Sequence, residues 1–197
     1  MRGIGGRTVD PTDKRELLLD AAERAFCRLG YARTTMAALA EEADVTRPTV
    51  YSYFPSKDEV FRALADRVHR EFLALQEQAV SDSPLETIRK ALDAYLDAVV
   101  RHTGMLTVIA HEALTDPAIE ALRGEIFARV NRRNARFLRA LAADGLAKPV
   151  AEPEVISEAI AGIVTRFAEQ VAANPRRRAS IGKDLLELYL SVSGVAR

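Results

Sequence analysis

The side chains of this chain that are best suited to chemistry are concentrated in one short stretch, residues 46–57, which reads T-R-P-T-V-Y-S-Y-F-P-S-K. Guanidinium, ammonium and hydroxyl groups are the donors that contact phosphates and base edges in nucleic acids. Arg47 can form a bidentate pair of hydrogen bonds with guanine or contact a phosphate, and both roles are open at this stage. Pro48 offers a rigid apolar surface to a thymine methyl group. The stretch therefore predicts a surface that contacts DNA.

Two short helices must position these side chains. Residues 34–43 have the apolar spacing of a helix capped by one of the two threonines at its start, and a second helix follows with Thr46 as its cap. The turn between them needs a positive φ angle, which Asp44 tolerates better than most residues do. Val50 and Phe54 are expected to hold the second helix to the core. Such a helix-turn-helix places side chains in the major groove. The predicted DNA contacts are Thr34, Thr35, Thr46, Arg47, Pro48, Thr49, Tyr51, Tyr53 and Lys57.

The rest of the chain reads as helices separated by cap signals, with no segment of alternating polarity long enough for a strand. The chain has 197 residues, of which 48% are apolar and 28% charged, as in ordinary globular proteins. We predict an all-α fold of about nine helices: an N-terminal three-helix bundle with the helix-turn-helix, and a larger C-terminal helical bundle. One predicted break lies at Thr103-Gly104. The predicted parts are a flexible arm over residues 1–9, a DNA-binding domain over 10–60 and a second domain over 61–197.

Charge and cysteine content bound the cellular setting. The net charge is zero, and residues 1–57 carry nine Lys and Arg against eight Asp and Glu. DNA-binding domains are usually basic, so an electrostatic footprint must come from the distribution of charge. The single cysteine, Cys27, cannot form an internal disulfide and is predicted to be a buried hydrophobe. No apolar run approaches the roughly 20 residues that span a bilayer, and no signal peptide is recognisable. We therefore expect a cytoplasmic protein.

No arrangement of residues predicts catalysis. There is no glycine-rich phosphate loop and no nucleophile beside a fixed base. His69, His102 and His111 are scattered without metal-ligand spacing. The chain is therefore predicted not to be an enzyme and to hold no metal or cofactor.

The head of the chain resembles the DNA-binding domain of the TetR family of transcriptional regulators. The resemblance covers residues 18–61 and rests on four motifs in order: A-F-x-x-x-G-Y, T-T-M-x-x-L-A, V-T-R-x-T-V-Y and Y-F-P-S-K-D-E. It implies a homodimer on a pseudo-palindromic operator and a C-terminal domain that binds a small effector and then releases the DNA. We therefore expect a repressor released by a small, largely apolar effector. The alternative is a helical small-molecule-binding protein whose DNA binding is weak or lost.

The second domain carries the effector and dimer predictions. The resemblance places an effector pocket among the middle helices, residues 85–141, where candidate lining residues are Tyr95, Val99, Met105, Ile109, Phe127, Asn134 and Phe137. A basic flank recurs at three- and four-residue steps and is either a solvated face or an anion-facing wall of that pocket: Arg129, Arg132, Arg133, Arg136 and Arg139. The last two helices are apolar on more than one face, which a twin pair can cover as a four-helix bundle. The predicted dimer contacts are Ile160, Ile163, Phe167, Leu185, Leu188, Tyr189 and Val192.

Overall fold

The computed structural model describes residues 11–78, 81 and 83–196. These residues form α-helices and a single short 3-10 helix, Pro175–Arg177, and include no strand. The predicted arm over residues 1–9 lies outside the described residues. The α-helices are α1 (Pro11–Leu29), α2 (Met36–Glu42), α3 (Arg47–Tyr53), α4 (Lys57–Gln78), α5 (Pro84–Glu112), α6 (Pro117–Ala143), α7 (Pro153–Ala173) and α8 (Arg178–Ser193).

Side-chain caps fix where several helices begin. A cap oxygen accepts a hydrogen bond from a first-turn amide that has no partner within the helix, which stabilises the helix by about 1 kcal/mol. These contacts measure 2.8 to 3.5 Å in α2, α4, α5 and α6. The capping residues are Thr35, Ser56, Ser83 and Asp116.

The predicted break at Thr103-Gly104 is wrong, because α5 continues through both residues. A glycine inside a helix costs only about 1 kcal/mol relative to alanine. Met105 and Ile109, which follow on the same helix, are fully buried, and their burial outweighs that cost. The merger reduces the predicted count of about nine α-helices to eight within the described residues.

The chain divides into two compact units between Asp66 and Arg67, inside α4. In the first unit, an aromatic cluster joins α1 to the start of α4. The Phe61 ring lies 5.4 Å from that of Phe26 and 4.9 Å from that of Tyr31, both edge-on, and Phe26 and Phe61 are fully buried. This cluster packs α1 against α4, the two helices between which α2 and α3 lie in the chain.

In the second unit, α7 packs against α5, α6 and α8. Arg178, at the start of α8, donates hydrogen bonds to Asp93 and Asp97 of α5, with a distance of 2.9 Å between Nη2 and Asp93 Oδ1. Gly182 leaves room for this arginine, since an added Cβ would lie 2.5 Å from its Nη1 atom. No helix in the described part of the chain is long and apolar enough to cross a membrane.

Cys27 departs from its prediction as a buried hydrophobe. It lies on the outer side of α1 and is exposed. Partial desolvation and the charge of Glu23 raise the pKa of its thiol, which keeps it protonated at neutral pH. The exposed thiol is therefore not an activated one.

Candidate functional site

The turn between α2 and α3 is closed by two backbone hydrogen bonds. The amide of Asp44 donates to Glu41 O at 3.1 Å, and the amide of Val45 donates to Ala40 O at 3.0 Å. This pair of bonds is a Schellman motif, which requires a left-handed residue just after the helix. That residue is Asp44, at φ 52°, and it is the non-glycine residue with positive φ among those described. The predicted turn is therefore confirmed.

Helix α3 has one buried and one exposed face. Val50 is 2% exposed and Phe54, just after the helix, is 3% exposed, so these residues anchor α3 as predicted. On the opposite side Arg47, Pro48 and Tyr51 are exposed. Because residues one turn apart share a face, these three side chains form a single outward surface.

The charge on this surface is one-sided. Residues 46–57 contain Arg47 and Lys57 and no acidic residue. The nearby Glu42 is bound elsewhere, because its carboxylate accepts hydrogen bonds from Arg24 at 2.9 Å and Arg28 at 2.6 Å. These bonds, that from Arg24 foremost, lower the pKa of Glu42. Arg47 has no ion-pair partner in the described part of the chain, so the outward face of α3 carries a positive charge although residues 1–57 as a whole are nearly neutral.

Three predicted DNA contacts are held by internal bonds. Thr34 is 1% exposed and its hydroxyl donates to Gly30 O at 2.7 Å, which removes it from the outward surface. Lys57 Nζ donates to Tyr31 O at 3.0 Å and lies 4.2 Å from the centre of the Tyr31 ring. Thr46 sits at the cap position of α3, but its hydroxyl pairs with that of Thr49 at 2.9 Å instead of with an amide.

The remaining predicted DNA contacts lie at or near the surface. Thr35 is exposed and caps α2, while Thr49 and Tyr53 are half-buried. Ser52, which is not among the predicted DNA contacts, is also exposed on α3 and donates its hydroxyl hydrogen to Thr49 O at 2.7 Å. Ser52 directly follows Tyr51, a predicted DNA contact, and this adjacency is the sequence feature that could have identified it.

The second unit contains a cavity of about 250 Å³. Its walls come from α4, α5, α6, α7 and α8 and from the segment before α5, and most of the lining side chains are apolar. The lining residues are Phe72, Ser81, Thr87, Ile88, Ala91, Leu92, Tyr95, Val130, Asn131, Arg133, Asn134, Phe137, Ser157, Ile160, Ala161 and Tyr189.

The predicted pocket residues divide between this cavity and the surrounding core. Tyr95, Asn134 and Phe137 line the cavity. Val99, Met105 and Ile109 are at most 1% exposed and do not line it, because they lie on the part of α5 that packs into the core. Phe127 does not line it either and packs edge-on against Phe72, with 6.1 Å between ring centres.

A polar network crosses one wall of the cavity. The Tyr189 hydroxyl donates to Asn134 Oδ1 at 2.8 Å, and Asn134 Nδ2 donates to Ser157 Oγ at 2.9 Å. The Ser157 hydroxyl in turn donates to Pro153 O at 2.7 Å. Asn134 therefore has internal partners for both ends of its amide. Burial raises the pKa of Tyr189 to about 12, so this hydroxyl keeps its proton at neutral pH.

Three of the seven predicted dimer contacts are buried within their own unit. Ile160 and Tyr189 line the cavity, and Leu185 is 1% exposed. The helices α7 and α8 each bury one apolar face against their own unit, so these residues are already covered. The other four predicted residues remain half-exposed: Ile163, Phe167, Leu188 and Val192.

Residues outside the predicted pocket set also line the cavity, including Phe72 and Ser157. Ser157 had a signal, because it is a polar residue on the apolar stripe of α7. Arg133 was considered only as part of the basic flank, of which it is the member that lines the cavity. No cluster of metal-binding side chains occurs within the described residues.

Comparison with known proteins agrees with this arrangement. Residues 18–64 match the family of bacterial regulatory proteins called the tetR family. The chain is 27% identical over 143 residues to the uncharacterised HTH-type transcriptional regulator YhgD of Bacillus subtilis, an alignment that covers 72% of this chain and 73% of YhgD. Several other curated regulators match over less than two thirds of their own length.

Solved structures share the whole architecture. A TetR-like transcriptional regulator from Rhodococcus superimposes with a TM-score of 0.73 at 26% identity, covering 92% of this chain and 96% of that one. The protein in a SmeT–triclosan complex has the same fold, with a TM-score of 0.72 at 23% identity and 90% of each chain covered. The helix-turn-helix geometry, the family match and these neighbours lead to one conclusion. Residues 18–64 form a tetR-family helix-turn-helix domain, and the chain shares the fold of a TetR-like transcriptional regulator.

Proposed function

We propose that this protein is a homodimeric repressor that binds a two-fold symmetric operator and is released by a small, largely apolar effector. The observation that carries the DNA-binding part is the outward face of α3. Arg47, Pro48 and Tyr51 are exposed there, and Arg47 has no acidic partner among the described residues. A guanidinium that is not engaged internally can form a bidentate contact with guanine. The proposal includes a cytoplasmic location, because a regulator of this kind must reach the chromosome.

The dimer part rests on the apolar surface of α7 and α8. Ile163, Phe167, Leu188 and Val192 are half-exposed on these two helices. A second copy of the same helix pair would bury these side chains in a four-helix bundle. Two-fold symmetry would then present two α3 helices about 34–36 Å apart, which is one turn of duplex DNA.

The effector part rests on the cavity of the second unit. Its volume of about 250 Å³ and its apolar walls fit a small organic molecule. The structural neighbour SmeT was solved in complex with triclosan, a relative's ligand that supports the same kind of site here. An effector would release DNA if it binds more tightly to a form of the dimer whose two α3 helices do not match the operator.

Selection from a pool of random duplexes tests the DNA-binding part. We expect the intact protein to enrich a palindromic motif whose half-sites are centred about 10 base pairs apart. Anisotropy titrations should then show binding to this motif at least about 10³-fold tighter than to a scrambled duplex, with both affinities falling as salt rises. If no motif is enriched and all duplexes bind alike, the proposal of a specific regulator is wrong.

The near-neutral charge of residues 1–57 favours a second candidate, a ligand-binding protein whose DNA affinity is weak. The same selection separates the two functions, because this candidate binds cavity ligands and enriches no duplex. Light scattering of the purified chain tests the dimer independently. A monomer at micromolar concentration contradicts the proposed spacing of the two α3 helices.

A further inference from the structure

The charge of the cavity wall is positive. Arg133 of α6 lines the cavity, and no aspartate or glutamate is found among the described lining residues. Four of the five arginines of the basic flank lie on the same helix without lining the cavity. A wall whose charge, among the described lining residues, comes from one cationic side chain favours an anionic ligand over a neutral or cationic one.

Arg133 also lacks an internal counter-charge. It is half-buried, and none of the described residues forms an ion pair or hydrogen bond with it. Other arginines of this unit are paired: Arg139 with Glu154, and Arg178 with Asp93 and Asp97. Partial burial of an unpaired guanidinium costs free energy, which an anion bound in the cavity would offset.

The other polar groups of the cavity wall further restrict the chemistry of the ligand. Asn134, Ser157 and Tyr189 satisfy one another through the network described above. The Tyr95 hydroxyl, in contrast, is buried and has no hydrogen-bond partner within the described part of the chain. Burial raises the pKa of this hydroxyl, so it retains its proton and can act as a donor. A ligand that carries an acceptor oxygen would satisfy it.

The size and walls of the cavity determine the size and type of apolar group that the ligand can carry. A cavity of about 150 Å³ is large enough for benzene, so about 250 Å³ accommodates one or two rings with a small substituent. The rings of Phe72 and Tyr95 meet edge-on at 5.7 Å, and Phe137 also lines the cavity. Aromatic walls of this kind favour an aromatic body over an aliphatic chain.

We propose that the cavity takes a small aromatic carboxylate, whose anionic group pairs with Arg133 and which offers an acceptor to the Tyr95 hydroxyl. A planar carboxylate matches the guanidinium fork and can accept two parallel hydrogen bonds from it. The proposal rests on the proposed function, because it names the chemical class of the effector. It also gives a role to the one arginine of the basic flank that reaches the cavity.

The test compares two pairs of probes, and the two members of each pair have nearly the same shape but different charge. Calorimetric titration of the intact protein with naphthalene-2-carboxylate and naphthalene-2-carboxamide, repeated with benzoate and benzamide, separates charge from size. We expect the carboxylates to bind at least about tenfold more tightly than their amides, because a charge-assisted pair is lost in the amides. Arg133→Gln should abolish this preference and leave amide affinity nearly unchanged.

Arg136→Gln is the matched control, because Arg136 lies on the same helix, is exposed and does not line the cavity. It should keep the tenfold preference. Arg133→Lys retains the charge without the planar fork and should keep part of the preference for carboxylates. A partial preference in this variant would show that substitution at this position does not unfold the cavity. Tyr95→Phe should weaken the carboxylates several-fold.

Three results overturn the inference. These are equal affinity of acid and amide for the unmodified protein, an undiminished preference in Arg133→Gln, and no binding of any probe at millimolar concentration. None of them concerns DNA, so operator selection still decides the proposed function. A carboxylate preference in a protein that selects no duplex would contradict only the proposed repressor.

Discussion

Helix α3 presents its candidate functional groups outward from its unit, whereas the second unit has its candidate groups around an internal cavity. Val50 of α3 and Phe54 just after it are buried, and the candidate functional groups of α3 point outward, so function there depends on what the neighbouring helices leave uncovered. In the second unit, Phe137 and Tyr95 line a cavity between the surrounding helices. The outward surface follows from a short motif, whereas the cavity depends on five helices packing imperfectly. The two regions should therefore respond differently to the same kinds of substitution.

The largest contrast is expected for loss of a phenyl ring. Phe61→Ala should lower the free energy of unfolding by about 3–5 kcal/mol, because Phe61 is fully buried in the aromatic cluster of the first unit. Phe137→Ala should cost about half as much or less, because one side of that ring already lacks packing partners. Urea unfolding, with hydrogen exchange to follow each unit, measures both. Equal losses would show that the cavity wall is as tightly packed as the first unit.

A smaller effect is expected at high pH, where the polar network of the cavity wall should lose stability. The pKa of Tyr189 is about 12 in the folded chain against about 10 in an unfolded one. The unfolded chain therefore loses this proton first, and its contribution to stability is complete below pH 10 and declines as pH rises to 12.

The Tyr189→Phe variant isolates this contribution. Between pH 10 and 12, the free energy of unfolding of the unmodified protein should fall more steeply than that of the variant, by up to about 1.4 kcal/mol per pH unit. Chemical unfolding at several pH values gives both slopes. Identical slopes would mean that the Tyr189 hydroxyl is not shielded from solvent as the structure indicates.

The smallest effect is expected in the turn before α3. Asp44→Gly should raise stability by about 0.5 kcal/mol, because glycine adopts φ 52° without strain and removes a negative charge from the C-terminal end of α2. The gain is small because glycine also increases the entropy of the unfolded chain. Asp44→Val is the matched opposite, since a β-branched residue is strongly disfavoured at positive φ. Thermal melting distinguishes them, and a marked fall in Tm for the glycine variant contradicts this account of the turn.

Local features of the fold were predictable from the sequence because they depend on neighbours in the chain. The cap at Ser56, a cap at one of the two threonines that precede α2, and the left-handed position of Asp44 follow from residue type and spacing within a few residues. Family motifs then connected these elements to DNA binding. The break predicted at Gly104 failed because burial of the following turn, a long-range effect, outweighed a local preference.

The cavity was harder to predict because it is a property of packing between helices. Helices α7 and α8 are apolar on more than one face, and the sequence does not show which face their own unit covers. Ile160 and Tyr189 were therefore expected at a dimer surface, whereas they line the cavity. Val99 and Met105 were expected in the pocket, whereas they lie on the part of α5 that packs into the core of the second unit. For the same reason Arg133 could not be singled out from the other arginines of its flank.

The most direct test of the proposed function is the sequence preference of an Arg47→Ala variant. Its affinity should be compared on the motif selected by the unmodified protein and on a scrambled duplex. We predict that the ratio of the two affinities falls by at least about 30-fold, as expected for loss of a bidentate contact worth about 1–3 kcal/mol in each of two half-sites. Arg129→Ala, which removes one exposed charge from α6, should leave the ratio unchanged. An unchanged ratio in Arg47→Ala would contradict the assignment of base recognition to Arg47.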